Sequence, residues 1–129
     1  MLIDWTGEFD RWWQNIEERQ TLDTRSRQIA FTLGTQLAFL QSLNQMPIEE
    51  SPKFQRVVQS RRYPLWRLSH PFLEGIALRI IVWFPFAEGG DLLVAVLGSD
   101  KAKMGDVFYD SASRRADIEI EKWIRERSK

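Results

Sequence analysis

Apolar residues recur along this chain with two different periods, and the change between them divides it. Phe9, Trp12, Trp13 and Ile16 fall at i, i+3, i+4 and i+7, the spacing that gathers side chains on one face of an α-helix. Thr6 suits the N-cap of that helix, and Glu8 suits its first turn, where a carboxylate meets the positive end of the helix dipole. The helix is expected over residues 7–19. A second is expected from Asp23 or Thr24, carried by Ile29, Ala30, Leu33, Leu37, Leu40 and Leu43. It has to end by Gln45, because Pro47 cannot continue a helix and restricts Met46. The apolar stretch 1–5 has the length of an edge strand.

After Pro64 the period becomes two. Residues 65–70 (LWRLSH) read as a strand, and residues 76–86 (IALRIIVWFPF) as a long one. In the long one Ile76, Leu78, Ile80, Val82 and Phe84 share a face, and Ala77, Arg79, Ile81 and Trp83 share the other. A turn at 88–91 leads to residues 92–98 (LLVAVLG), apolar on both faces and therefore central in its sheet. Residues 47–63 read as a connector with two prolines, and residues 99–109 as a polar loop. A last helix is expected from Asp110 or Ser111, with Ala112, Ala116, Ile120, Trp123 and Ile124 on one face. The expected order is β-α-α-β-β-β-α, an α+β fold in one domain spanning 1–129. Two N-terminal helices should pack on one face of a small antiparallel sheet, leaving the other face concave and wet.

Composition narrows the function classes. The 129 residues include no cysteine, which excludes disulfides and thiolate metal sites and suits a reducing cytoplasm. The single histidine cannot build a multi-histidine metal site. The first residues, MLIDWTGEFDRWW, lack the pattern of a signal peptide, and no apolar run reaches the roughly 18 residues of a membrane span. Eighteen basic side chains balance eighteen acidic ones, but residues 51–82 carry six basic against one acidic. Such an island attracts phosphates whatever the total charge, or is simply a solvated basic surface.

No nucleophile elbow, phosphate-binding glycine loop or zinc-protease motif is present. What remains is a set of cations and one tyrosine. Arg61 and Arg62 precede the first long strand, Arg67 lies in it, and Arg79 lies in the next. An unpaired buried cation costs on the order of several kcal/mol, so Arg79 either pairs with an acid or faces a polar cleft. Lys101, Lys103 and Tyr109 follow the central strand, and hairpin pairing can bring them to the same end of the sheet as Arg67 and Arg79. Cations stabilise a phosphoryl transition state, and tyrosine stacks on a base or moves a proton. His70, at a strand end before Pro71, is an acid–base group or a structural histidine. The Trp12–Trp13 pair is a ligand platform or core, and its helical spacing favours core.

Leu65-Trp66-Arg67-Leu68, Leu78-Arg79-Ile80, Leu92-Leu93-Val94, Ser99-Asp100-Lys101, Phe108-Tyr109 and Ala116-Asp117 follow one another in the order seen in a known family. Over residues 64–127 the chain resembles the RelE/ParE superfamily of bacterial and phage toxins, its HigB-like branch above all. The resemblance implies a RelE-like fold and the toxin of a type II toxin–antitoxin pair, held by a cognate antitoxin protein. It implies cleavage of mRNA on the ribosome, in the cytoplasm, without a metal, cofactor or membrane. The catalytic set it implies is Arg79, Lys101, Lys103 and Tyr109, with Arg67 on the RNA; Arg61, Arg62 and His70 join Arg67 as RNA-binding candidates on their own position and charge. The base and the acid stay unassigned among the lysines, Tyr109 and His70. Departures from the family pattern are Leu68-Ser69 in the strand motif and Asp100 and Asp106 in the basic loop. The same fold carries gyrase-poisoning proteins that cleave nothing, and a non-catalytic, phage-encoded binding protein is the other reading.

Overall fold

The computed structural model describes residues 1–60, 62–69, 76–86, 90–100 and 106–128, with 106–110 as backbone only. Its elements are β1 (Leu2–Trp5), α1 (Gly7–Arg19), α2 (Thr24–Ser42), β2 (Phe54–Arg56), β3 (Leu65–Ser69), β4 (Arg79–Trp83), β5 (Leu92–Ser99) and α3 (Asp106–Arg127). The five strands form one sheet in the order β1-β5-β4-β3-β2. The α+β class is as expected, and β4 and β5 pair antiparallel as the apolar runs on either side of the turn suggested.

Four expectations are corrected. The sheet is mixed, because β1 pairs parallel with β5, Leu2 opposite Leu92 and Trp5 opposite Ala95. Hairpins alternate strand direction, but β1 leaves the sheet through two helices, so no hairpin sets its direction. The connector contains β2, which pairs antiparallel with β3, Gln55 opposite Arg67. Three residues between two prolines show too little alternation to announce a strand. The second face is not left open, since α3 packs on it. Finally, α3 begins at Asp106, inside the expected polar loop.

Thr6 caps the first helix as the sequence suggested, and Asp23, at the expected start of the second, caps that one. The Thr6 hydroxyl accepts from the Phe9 N–H at 3.1 Å, and the Asp23 carboxylate accepts from the Ser26 N–H at 2.7 Å. Phe9, Ile16, Ile29, Leu33 and Leu40 then pack on Trp66, Leu68, Ile80, Val82, Leu93 and Ala95, closing one face of the sheet. Trp12 belongs to this packing. A Cβ on Gly98 would lie 2.2 Å from its indole ring, so the ring rests on bare backbone of β5. The opposite face holds Leu65, Ile81, Trp83, Val94, Val96 and Leu97 against Ala112, Ala116, Ile120 and Trp123 of α3. Trp83 meets Trp123 edge to face at 5.8 Å and Tyr63 at 5.4 Å. Each such buried large side chain contributes about 1.5–3 kcal/mol of burial free energy.

The register of β4 against β5 slips once. Ile81 lies opposite Leu97 and Val82 opposite Ala95, so Val96 is an extra residue in β5. Thr6 fastens this bulge: its N–H donates to the Ala95 carbonyl at 3.0 Å and its hydroxyl to the Val96 carbonyl at 2.6 Å. Polar contacts hold α3 to the β1 side. Trp123 Nε1 donates to Asp4 Oδ2 at 2.9 Å, and Arg127 pairs with the same carboxylate at 3.1 Å. Arg115 pairs with Glu8, and the buried Glu119 carboxylate accepts from the Glu8 N–H at 3.3 Å. No helix among the described residues is long and apolar enough to cross a membrane.

Candidate nucleic-acid interface

Strand register decides which of the candidate cations meet. Arg67 lies opposite Ile81 and Ser69 opposite Arg79 across β3 and β4, while Arg79 lies opposite Ser99 across β4 and β5. Side chains alternate faces along a strand, so Arg67, Ser69, Arg79 and Ser99 share the face of Leu65, Ile81 and Trp83, which is the face α3 packs on. Gln55, opposite Arg67 on β2, extends the row to the sheet edge. The result is a polar band across four strands at the end of a face that is otherwise apolar. Arg67 and Arg79 are diagonal neighbours in it, a placement that puts Cα atoms roughly 7–8 Å apart and Cβ atoms somewhat closer. Guanidinium groups carried by adjacent strands are suited to engage the oxygens of an anionic chain.

Within the band, Arg67 Nη2 donates to Gln55 Oε1, and Nη1 donates to Ser69 Oγ at 3.5 Å. The band opens at the edge of the sheet into a cleft of about 240 Å³. Gln55, Arg67, Arg56 and Gln59 line it, together with Glu50, whose Oε1 accepts from the Arg56 N–H at 2.7 Å. Arg56 lies opposite Trp66 and places its guanidinium 5.3 Å from that ring, on the other side of the sheet from Arg67.

Arg62 has a different partner. Its Nη1 pairs with Glu121 of α3 at 2.8 Å on a mostly exposed side chain, so the pair contributes little to stability. On the same side of α3 sits Asp117, whose buried Oδ1 has no hydrogen-bond partner among the described residues. Burial raises its carboxyl above the usual aspartate value, Arg62 opposes that rise, and Glu121 adds to it. Thus α3 turns Glu119 and Arg115 toward the start of α1, and Asp117 and Glu121 toward Arg62.

Register therefore brings Arg67 and Arg79 together, and Arg62 is paired with Glu121 of α3. Arg61, His70, Lys101 and Lys103 lie outside the described residues, as does the side chain of Tyr109. Sequence reasoning missed Gln55, Gln59 and Glu50, which lie in the segment read as a connector. The one available signal was the apolar–polar alternation Phe54-Gln55, with Phe54 buried and Gln55 half-buried. Among the described residues no group of three His, Asp or Glu side chains is placed to hold a metal ion. No protein-family model, no curated protein and no solved structure matches this chain.

Proposed function

We propose that this chain is a RelE/ParE-type toxin of a type II toxin–antitoxin pair, acting in the cytoplasm as a ribosome-dependent mRNA endoribonuclease. One observation carries the reading: two arginines from adjacent strands stand as diagonal neighbours in a polar band that also holds Ser69, Ser99 and Gln55. The α+β class, with two helices following the first strand and one following the last, supports the reading. The reaction is a transesterification. The 2′-oxygen of one nucleotide attacks its own 3′-phosphorus, and the bond from phosphorus to the 5′-oxygen breaks. The products are a 2′,3′-cyclic phosphate and a free 5′-hydroxyl. One proton leaves the 2′-hydroxyl and one reaches the departing oxygen, through groups drawn from Lys101, Lys103, Tyr109 and His70. Arg79 stabilises the charge that grows on the phosphorane, with Arg67 holding the adjacent backbone. A cognate antitoxin blocks this surface.

Expression of the chain alone should arrest bacterial growth and cut ribosome-bound mRNA. Arg79→Ala should lose roughly a hundredfold or more in cleavage rate while melting near the wild type. Arg79→Lys should remain impaired, because an ammonium cannot hold two phosphate oxygens in one plane. Normal growth with an intact mRNA pool, or wild-type cleavage by folded Arg79→Ala, refutes the proposal. A second reading, a non-catalytic protein of the same fold that binds a protein partner, is favoured by Arg62 being ion-paired and by Phe31 standing 77% exposed on α2.

A further inference from the structure

The outer edge of β2 is closed by the chain itself. Bonds from Val57 N–H to Leu65 and from Ser69 N–H to Lys53 show that odd-numbered residues of this segment face β3. Phe54 and Arg56 therefore direct their backbone groups outward. Phe54 exchanges both of its groups with Ser51, at 3.0 and 3.1 Å. The Arg56 N–H is taken instead by a side chain, the carboxylate of Glu50 at 2.7 Å. That carboxylate lies in the cleft of Arg67, Gln55 and Gln59. A backbone N–H beside a guanidinium and side-chain amides is the donor set that holds a phosphate oxygen. Glu50 supplies the matching anion from within the chain, although it belongs to the acidic pair Glu49–Glu50 that immediately precedes the basic stretch.

We infer that this cleft is a phosphate subsite of the RNA-binding face, occupied in the free protein by the Glu50 carboxylate and vacated when a phosphodiester displaces it. The inference rests on the endoribonuclease reading for the identity of its ligand, but not for the existence of the anion site. Glu50 then acts as an internal competitor that weakens binding of any single phosphate and yields to a chain held at Arg67 and Arg79 as well.

The test uses the whole chain and inorganic phosphate as the probe, with nuclear magnetic resonance following the Arg56 amide and the Gln55 and Arg67 side chains. Glu50→Ala should bind phosphate at least about tenfold more tightly than the wild type, the scale of one charge-assisted hydrogen bond. Glu50→Gln, which keeps an acceptor for the amide and loses the charge, should fall between them. It also keeps the test valid should the alanine variant unfold. Glu49→Ala removes the neighbouring charge without touching the cleft and should match the wild type. Equal gains from Glu49→Ala and Glu50→Ala, or no response at Arg56 and Arg67, overturn the inference. A single-stranded RNA oligonucleotide should displace phosphate from the cleft, and an acidic peptide should not. Displacement by the peptide alone makes the cleft a protein-docking site and refutes the phosphate assignment. Tight phosphate binding in Glu50→Ala, with no mRNA cleavage by any form, leaves the anion site standing and removes the endoribonuclease reading.

Discussion

Replacing Thr6 by valine tests how the first helix is tied to the centre of the sheet. The side chain is 3% exposed, and valine matches its shape and branching, so packing is preserved. Two hydrogen bonds are lost. The Phe9 N–H loses its cap at 3.1 Å, which costs about 1 kcal/mol. The Val96 carbonyl loses its 2.6 Å donor inside the sheet, and a buried acceptor stripped of a partner costs about 1–3 kcal/mol. The sum is about 2–4 kcal/mol. For a chain of 129 residues, each kcal/mol lowers the melting temperature by about 3–5 °C, so a fall of about 10 °C is expected. Thr6→Ser keeps the hydroxyl and loses one methyl, which costs about 1 kcal/mol. Thermal melts followed by circular dichroism should therefore rank wild type above serine and serine above valine. A valine variant melting within about 2 °C of the wild type, or above the serine variant, would falsify the argument that the bulge depends on this hydroxyl.

Two further substitutions probe other parts of the molecule. Gly98→Ala places a methyl where the Trp12 ring now lies, 2.2 Å away, and should cost about 1–3 kcal/mol with a changed tryptophan emission; unchanged fluorescence and stability would show that the ring moves freely. The Asp117 carboxyl is raised above its unfolded value of 3.8, so its charge opposes folding. That penalty is absent below the unfolded pKa, grows as pH rises toward the raised folded one and is complete above it. Asp117→Asn should thus raise the melting temperature at pH 7 and leave it nearly unchanged at pH 3; equal shifts at both values count against burial as the cause.

Much of this architecture could be read from local pattern. Thr6 and Asp23 mark their helix starts because a capping oxygen acts within three residues of itself. The alternation from Ile76 to Phe84 assigned faces correctly, placing Arg79 with Ile81 and Trp83. What escaped depends on partners distant in sequence. Nothing near Leu2 says that it lies parallel to Leu92, and nothing near Gln55 says that it faces Arg67. The candidate site shows the same division. That Arg67 and Arg79 each sit in an apolar strand is visible in the sequence; that they are diagonal neighbours is a fact of register. Glu50 was invisible as a site residue, because only the outward turn of the Arg56 amide gives its carboxylate something to bind.

The tie between Thr6 and Val96 spans 90 residues, and that separation has a consequence for the order in which the molecule assembles. The meander from β2 to β5 closes through neighbouring strands, whereas β1 must wait for β5. At a synthesis rate of about 5–20 residues per second, β1 and the start of α1 leave the ribosome roughly 5–20 s before the strand they need. Until then Phe9, Leu33 and Leu40 lack the Leu93 and Ala95 part of the face they cover. Long-range closure of this kind also slows folding, since the loop entropy is lost before the contacts that offset it form. The arrival of β5 serves both faces at once: it supplies the rail for β1 and the Ser99 end of the polar band beside Arg79. A chain in which β5 has not yet been made therefore lacks both the partner strand of β1 and the Ser99 end of the cationic floor.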